Sequence, residues 1–195
     1  MAMAPHTRDA LLDAAEAVFT EHGLARATID QITARAGVAK GTFYLYFRSK
    51  DEVVAALQER LWDQLMAAAV DTAAKLDGDD WWGVVDSFLE TVVDFDIEHR
   101  EWHRQIAQGW AQPSSHGREE QMIALFAGRI SDGVERGVLD VDIQDVDMAA
   151  QMLFWGCQGT AYQVCLSEGE VDRDRLVRAH QWFVRRVLAK RAAAQ

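Results

Sequence analysis

Residues Thr28 to Lys50 read TIDQITARAGVAKGTFYLYFRSK, and the fold follows from where this stretch must break. Thr28 with Gln31 three residues later forms a capping box. The threonine hydroxyl accepts from a free N–H of the first helical turn, and the glutamine side chain returns to the cap's own N–H. Ile29, Ile32 and Ala36 then recur on one helical face. Gly37 ends this helix after barely two turns, and only Gly37, Val38 and Ala39 separate it from the next. A three-residue turn between short helices makes them cross steeply, and glycine supplies the positive φ the turn needs. The spacing therefore predicts a helix-turn-helix.

The third helix runs from about Lys40 to Phe47. Phe43 and Phe47, four residues apart, face inward, which leaves Gly41, Thr42, Leu45 and Tyr46 outside, beside Lys40. That outer face suits a nucleic-acid groove. Glycine admits close backbone approach, threonine and tyrosine hydroxyls reach phosphates or base edges, and an apolar side chain touches a thymine methyl. A solvated surface helix is the competing reading. It is disfavoured because short helices rarely expose a leucine and two tyrosines to water.

Upstream, Thr7 is positioned to cap a first helix whose Leu11, Ala15, Val18 and Phe19 share one face, with Gly23 as its stop. Downstream, Ser49 and Glu52 form a second capping box. It opens a long helix with Val53, Val54, Leu57, Leu61 and Leu65 inside. Lys50 sits at its first position, where a phosphate would meet both the helix dipole and the ammonium group.

Charge placement agrees with a DNA-reading head. The chain of 195 residues has a net charge of −11. Residues 1–50 hold six Lys/Arg and five Asp/Glu, a net of +1, so the remainder carries −12. Within 31–50 there are four cations and no acid. A locally basic turn on an acidic body marks one binding end.

Beyond Ala74 the pattern changes. Leu76 to Asp80 reads as a loop, with Asp79 or Asp80 capping a helix that holds Val84, Val85, Phe88, Leu89, Val92 and Phe95. A short helix from about Glu101 to Gln112 is closed by Pro113, and Met122, Leu125, Phe126, Ile130 and Val134 mark another, stopped by Gly137. No segment alternates with period two over strand length, so the body is predicted to be all-helical. Residues 145–166 are apolar on two sides: Val146, Ala149, Leu153, Cys157, Ala161 and Val164 on one, Met148, Met152, Trp155, Gly159, Tyr162 and Leu166 on the other. The last helix, after Asp172, carries Leu176, His180, Phe183, Val184 and Val187. Two such helices meeting their symmetry mates make a four-helix bundle with a two-fold axis. Met152, Gly156, Gly159 and Gln163 are the expected dimer contacts from the first helix, and Leu176, His180, Phe183 and Val187 those from the second.

Several classes find no support. No run of 18 apolar residues exists and the N-terminus lacks a signal-peptide pattern, so the expectation is a cytoplasmic protein away from membranes. Cys157 and Cys165 would lie roughly 12 Å apart along a helix, too far for a disulfide. His99 and His103 share a face without a third suitable ligand, so a solvated face is favoured over a metal site. There is no Ser/His/Asp set and no phosphate-cradling glycine loop, so neither catalysis nor a cofactor is expected.

Residues 11–57 resemble the N-terminal domain of the TetR family of bacterial transcriptional regulators, most densely in A-G-V-x-K-G-T-F-Y-x-Y-F-x-S-K. Ala39 departs from the serine common there and removes a helix cap of about 1 kcal/mol. The resemblance implies an all-α fold of about nine helices. Residues 5–65 would be the DNA-binding head, with its helix-turn-helix at about 28–47, and residues 66–195 the effector-binding and dimerisation body. It implies phosphate contacts from Thr28, Lys50 and Arg35, and groove contacts from Lys40, Gly41, Thr42 and Leu45. Tyr44 and Tyr46 would touch backbone or bases. It places Trp102, Trp110, Phe126, Phe154, Trp155 and Tyr162 on helices that line an effector cavity, with Gln158 as a polar contact. Ordinary core filling is the other reading of these aromatics. The implied function is a homodimeric repressor on a near-palindromic operator in double-stranded DNA, released by an apolar or aromatic small molecule. A DNA-binding regulator without such an effector is the alternative, and an enzyme or ligand carrier is a third reading.

Overall fold

The boundaries of the helices have local causes, and these can be read residue by residue in the computed structural model, which describes residues 5–76, 79–107, 116–139 and 145–189. The described residues form nine helices: α1 (Pro5–His22), α2 (Ile29–Ala36), α3 (Lys40–Tyr46), α4 (Lys50–Ala74), α5 (Trp81–Glu98), α6 (Arg100–Ala107), α7 (His116–Glu135), α8 (Val146–Leu166) and α9 (Arg173–Leu188). Among them there is no strand, only an isolated antiparallel bridge between Leu139 and Ala189. The all-α class is as the sequence predicts. No helix of the described residues is long and apolar enough to cross a membrane.

α1 begins at Pro5, earlier than a Thr7 cap would allow. Proline suits a first turn, where its missing N–H would have had no partner. Thr28 and Gln31 close the capping box on α2, and Gly37 ends that helix at φ 68°. Asp80, Asp145 and Asp172 cap α5, α8 and α9, each accepting a backbone N–H of the first turn. Ser49 Oγ accepts from the Glu52 N–H, but the Glu52 carboxylate takes the Arg48 N–H rather than that of Ser49.

The contacts divide the chain into two units. The first runs to Gln64 and includes residues from Glu101 onward on α6. Its core joins Leu11, Leu12, Val18 and Phe19 of α1 to Ile32, Phe43, Phe47, Val54 and Leu57. Arg60 on α4 reaches back to Asp13 and Glu16 on α1, both at 2.5 Å. Trp102 packs near Phe19, with ring centroids 6.3 Å apart.

The second unit takes Leu65–Arg100 and the chain from Ser115 on. Trp81, Val85, Leu89, Ile130, Leu153, Cys157 and Val184 form its main core. Gly133 sits where a Cβ would come within 2.8 Å of Leu139 and Trp81, so no larger residue fits that crossing. Arg173 grips Asp94 through two nitrogens, at 2.5 and 2.7 Å, and ties α9 to α5. Cys157 and Cys165 are buried thiols, the second donating to the Asp96 carbonyl, and Asp96 and His180 are buried polar groups within the same packing.

Candidate nucleic-acid interface

α3 is presented by its own buried side. Phe43 and Phe47 sit in the head core with centroids 5.8 Å apart, which fixes the rotation of the helix. That rotation leaves Tyr44 51% and Leu45 63% exposed, with Lys40 and Gly41 also open to solvent. Thr42 is half-buried. Tyr46 is half-buried as well and packs against the head core, so it stands at the margin of the face. Ala39 gives α3 no side-chain cap.

Lys40, Arg35 and Lys50 each have protein partners. Lys40 Nζ lies 2.7 Å from Asp30 Oδ1, and Arg35 Nη1 lies 2.5 Å from Glu21 Oε1. The hydrogen bond that Lys40 donates to Asp30 raises the Lys40 pKa, and the one that Arg35 donates to Glu21 lowers the Glu21 pKa. Lys50 Nζ donates to the carbonyls of Leu24, at 2.6 Å, and Ala27, at 3.0 Å. Burial lowers its pKa. Lys50 therefore ties down the loop from which Thr28 and α2 depart. Sequence reasoning missed Glu21, Asp30 and this tie, because each depends on side chains brought together by the fold.

In the second unit an apolar cavity of about 220 Å³ opens between the end of α4, α5, α7 and α9. Met66, Ala69, Val85, Phe88 and Phe126 are among its walls, and Arg129 also lines it. Phe126 is the one residue predicted for a pocket that lines this cavity. Phe154 is buried and packs on Phe126, at 6.5 Å, and on Trp155, at 5.1 Å. Gln158 Nε2 reaches the Asp96 carboxylate at 3.5 Å. Tyr162 is half-buried, and burial raises its pKa. Trp102 belongs to the first unit, and Trp110 lies outside the described residues. The sequence held no local signal for Met66, Ala69 or Arg129, which come from separate helices.

The outer faces of α8 and α9 are apolar and open. Met152 is 66% and Trp182 68% exposed, with Trp155, Phe183 and Val187 exposed around them. Gly156, Gly159 and Gln163 lie between as a shallow groove. Phe183 reaches within 3.5 Å of where a Cβ on Gly156 would stand. Leu176 and His180 are buried inside the chain, on the α9 stripe that continues through Val184 and Leu188. Among the described residues no group of three His, Cys, Asp or Glu side chains could hold a metal ion.

A three-helix head with a helix-turn-helix, joined to an all-helical second unit, defines the class of helix-turn-helix transcriptional regulators. The profile of the bacterial regulatory proteins of the tetR family matches residues 11–57. That match is to the N-terminal part of the chain, about a quarter of its length. The chain is 29% identical over 154 residues to an HTH-type transcriptional repressor of Streptomyces coelicolor, covering 76% of this chain and 73% of that one. It is 37% identical over 92 residues to YvdT of Bacillus subtilis, an uncharacterized HTH-type transcriptional regulator, covering 47% of this chain. That match spans under half of the relative's length, 46%. SmeT, the repressor of a Stenotrophomonas maltophilia multidrug efflux pump, superposes in its triclosan complex with a TM-score of 0.70 at 25% identity. There 97% of this chain and 95% of that one are covered. These relatives are named as regulators and not as enzymes.

Proposed function

We propose that this protein is a homodimeric repressor that binds a near-palindromic operator and is released by a small molecule. The observation that carries the DNA half is the outward face of α3, where Leu45 and Tyr44 stand exposed beside Lys40 on a helix locked by Phe43 and Phe47. Lys40, Gly41, Thr42 and Leu45 read the major groove. Thr28, Arg35, Tyr44 and Tyr46 hold the phosphates. Lys50 supports them through the loop it ties.

The exposed α8 and α9 faces support pairing with a second copy. Met152, Trp182, Phe183 and Val187 present large apolar side chains, and Gly156 and Gly159 leave room for a helix to lie close. Two heads related by a two-fold axis would meet half-sites about one duplex turn apart, roughly 34 Å. The cavity supports a small-molecule input, and the similar SmeT is found in a complex with triclosan. α4 runs unbroken from Lys50 to Ala74 and ends among the cavity walls with Met66 and Ala69. A ligand acts only through its difference in affinity between DNA-competent and released states.

The test is selection of genomic fragments by the purified protein, followed by binding of a selected fragment to Thr42→Ala plus Tyr46→Ala. The double variant should lose most of its affinity while it remains folded at the temperature of the binding assay, even though Tyr46 packs against the head core. Undiminished binding would remove α3 as the reader.

A further inference from the structure

We propose that the cavity of the second unit takes a small organic monoanion, a carboxylate on an apolar or aromatic body, with its charged end on the Arg129 guanidinium. The proposal rests on reading this cavity as the effector site. Its walls are apolar, from Met66 and Ala69 on α4 to Phe88 on α5 and Phe126 on α7. Among the described residues, Arg129 is the one charged side chain that lines it. Val70 and Leu125 also line it and are more than half exposed, which gives an apolar route in from solvent.

Arg129 is only partly satisfied by the protein. Nη2 donates to the Trp81 carbonyl at 3.1 Å, and the guanidinium lies 5.2 Å from the Trp81 ring centroid. Nη1 stands 3.6 Å from Asp132 Oδ2, beyond hydrogen-bond distance, and Arg136 shares the same oxygen at 3.6 Å. Nε is buried without a hydrogen-bond partner. Burial lowers the Arg129 pKa, Asp132 works against that, and Arg136 adds to it. A cation short of acceptors beside an apolar space is matched by a carboxylate, which takes two guanidinium N–H groups at once. A dianion would leave a second charge against apolar walls.

Size narrows the class. The cavity of about 220 Å³ is smaller than a drug-sized site of ~300–1,000 Å³. At ~30 Å³ per water it has room for about seven waters, roughly the bulk of an eight-carbon chain.

The experiment is titration calorimetry of the full chain with octanoate, 1-octanol and octylamine near neutral pH. Octanoate should bind at least about tenfold tighter than octanol, and octylamine weakest. Arg129→Gln should bring octanoate down to the octanol level and leave octanol unchanged, which also shows that the cavity is intact. Arg129→Lys, which keeps the charge, should retain a preference for octanoate. Octanol binding as tightly as octanoate, an unchanged octanoate affinity in Arg129→Gln, or no binding of any probe would overturn the proposal. Should Arg129→Gln not fold, the three probes on the unaltered chain decide alone. Octanoate that binds with this selectivity, yet leaves affinity for a selected DNA fragment unchanged, would sink the effector reading while the anion site stands.

Discussion

Lys40 Nζ lies 2.7 Å from Asp30 Oδ1, so the ammonium group at the start of α3 is already held by a carboxylate of the preceding helix. Both side chains are exposed, and water and salt screen the pair. A phosphate at the same place competes with Asp30 for Lys40. Asp30→Asn should therefore tighten DNA binding, roughly two- to tenfold at low salt, with the gain fading as salt is raised. Fluorescence anisotropy on one fragment at low and high salt measures it. An unchanged affinity at low salt would show that Lys40 does not meet phosphate.

Phe43 and Leu45 are two residues apart on α3 and have opposite duties. Phe43 is fully buried and Leu45 is mostly exposed. Phe43→Ala should cost about 3–5 kcal/mol of stability, the range for large aromatic truncations. Leu45→Ala should stay within about 0.5 kcal/mol, as exposed substitutions do, yet weaken DNA binding. Denaturant titration beside DNA binding separates the two effects. Full DNA affinity in Leu45→Ala would take this side chain out of the interface.

His180 should make stability depend on pH. Burial lowers its pKa from the ordinary 6.5, with Asp96 opposing. Its Nε2 is buried without a hydrogen-bond partner. The unfolded chain therefore takes up this proton at a higher pH than the folded chain does. The stabilisation is complete above about pH 6.5 and is lost as pH falls through the folded value. The urea midpoint should fall between about pH 7 and pH 5, and His180→Asn should flatten that slope by up to about one proton. Equal slopes in the two proteins would count against a buried neutral imidazole.

Cys157 should be chemically quiet. Burial raises its pKa to about 11. At neutral pH that leaves about one thiolate in ten thousand. Iodoacetamide should label it slowly in the native protein and quickly after unfolding, as followed by mass spectrometry. Labelling at the same rate in both states would mean that the α8 packing opens readily.

The head was legible because its signals are local. The capping box of Thr28 and Gln31, the stop at Gly37 and the inward pair Phe43 and Phe47 are each set by residues no more than four positions apart, and the structure has each of them. What depends on distant partners was not legible. Nothing near Lys50 announces the carbonyls of Leu24 and Ala27, and nothing near Trp102 announces Phe19. α8 shows the same limit. Its buried side is Ala150, Leu153, Phe154, Cys157, Ala161 and Cys165, rotated from the expected stripe. A helix apolar on two sides leaves the angle open until its neighbours α7 and α9 fix it. The cavity is the extreme case, since its walls are ordinary helical apolar positions from four helices.

The tryptophans supply the protein with its own optical labels. Trp81 is buried at the cavity wall, edge-on to Trp82 at 4.8 Å, while Trp155 and Trp182 stand in solvent on α8 and α9. An indole in water emits to the red of one in an apolar core, so the emission band is a sum of separately coloured parts. Covering the α8 and α9 faces would draw the red part toward blue. Filling the cavity would alter the blue part alone. Replacing Trp81 or Trp182 by phenylalanine assigns each part, so one cuvette can follow subunit pairing and ligand entry as separate signals without any added dye.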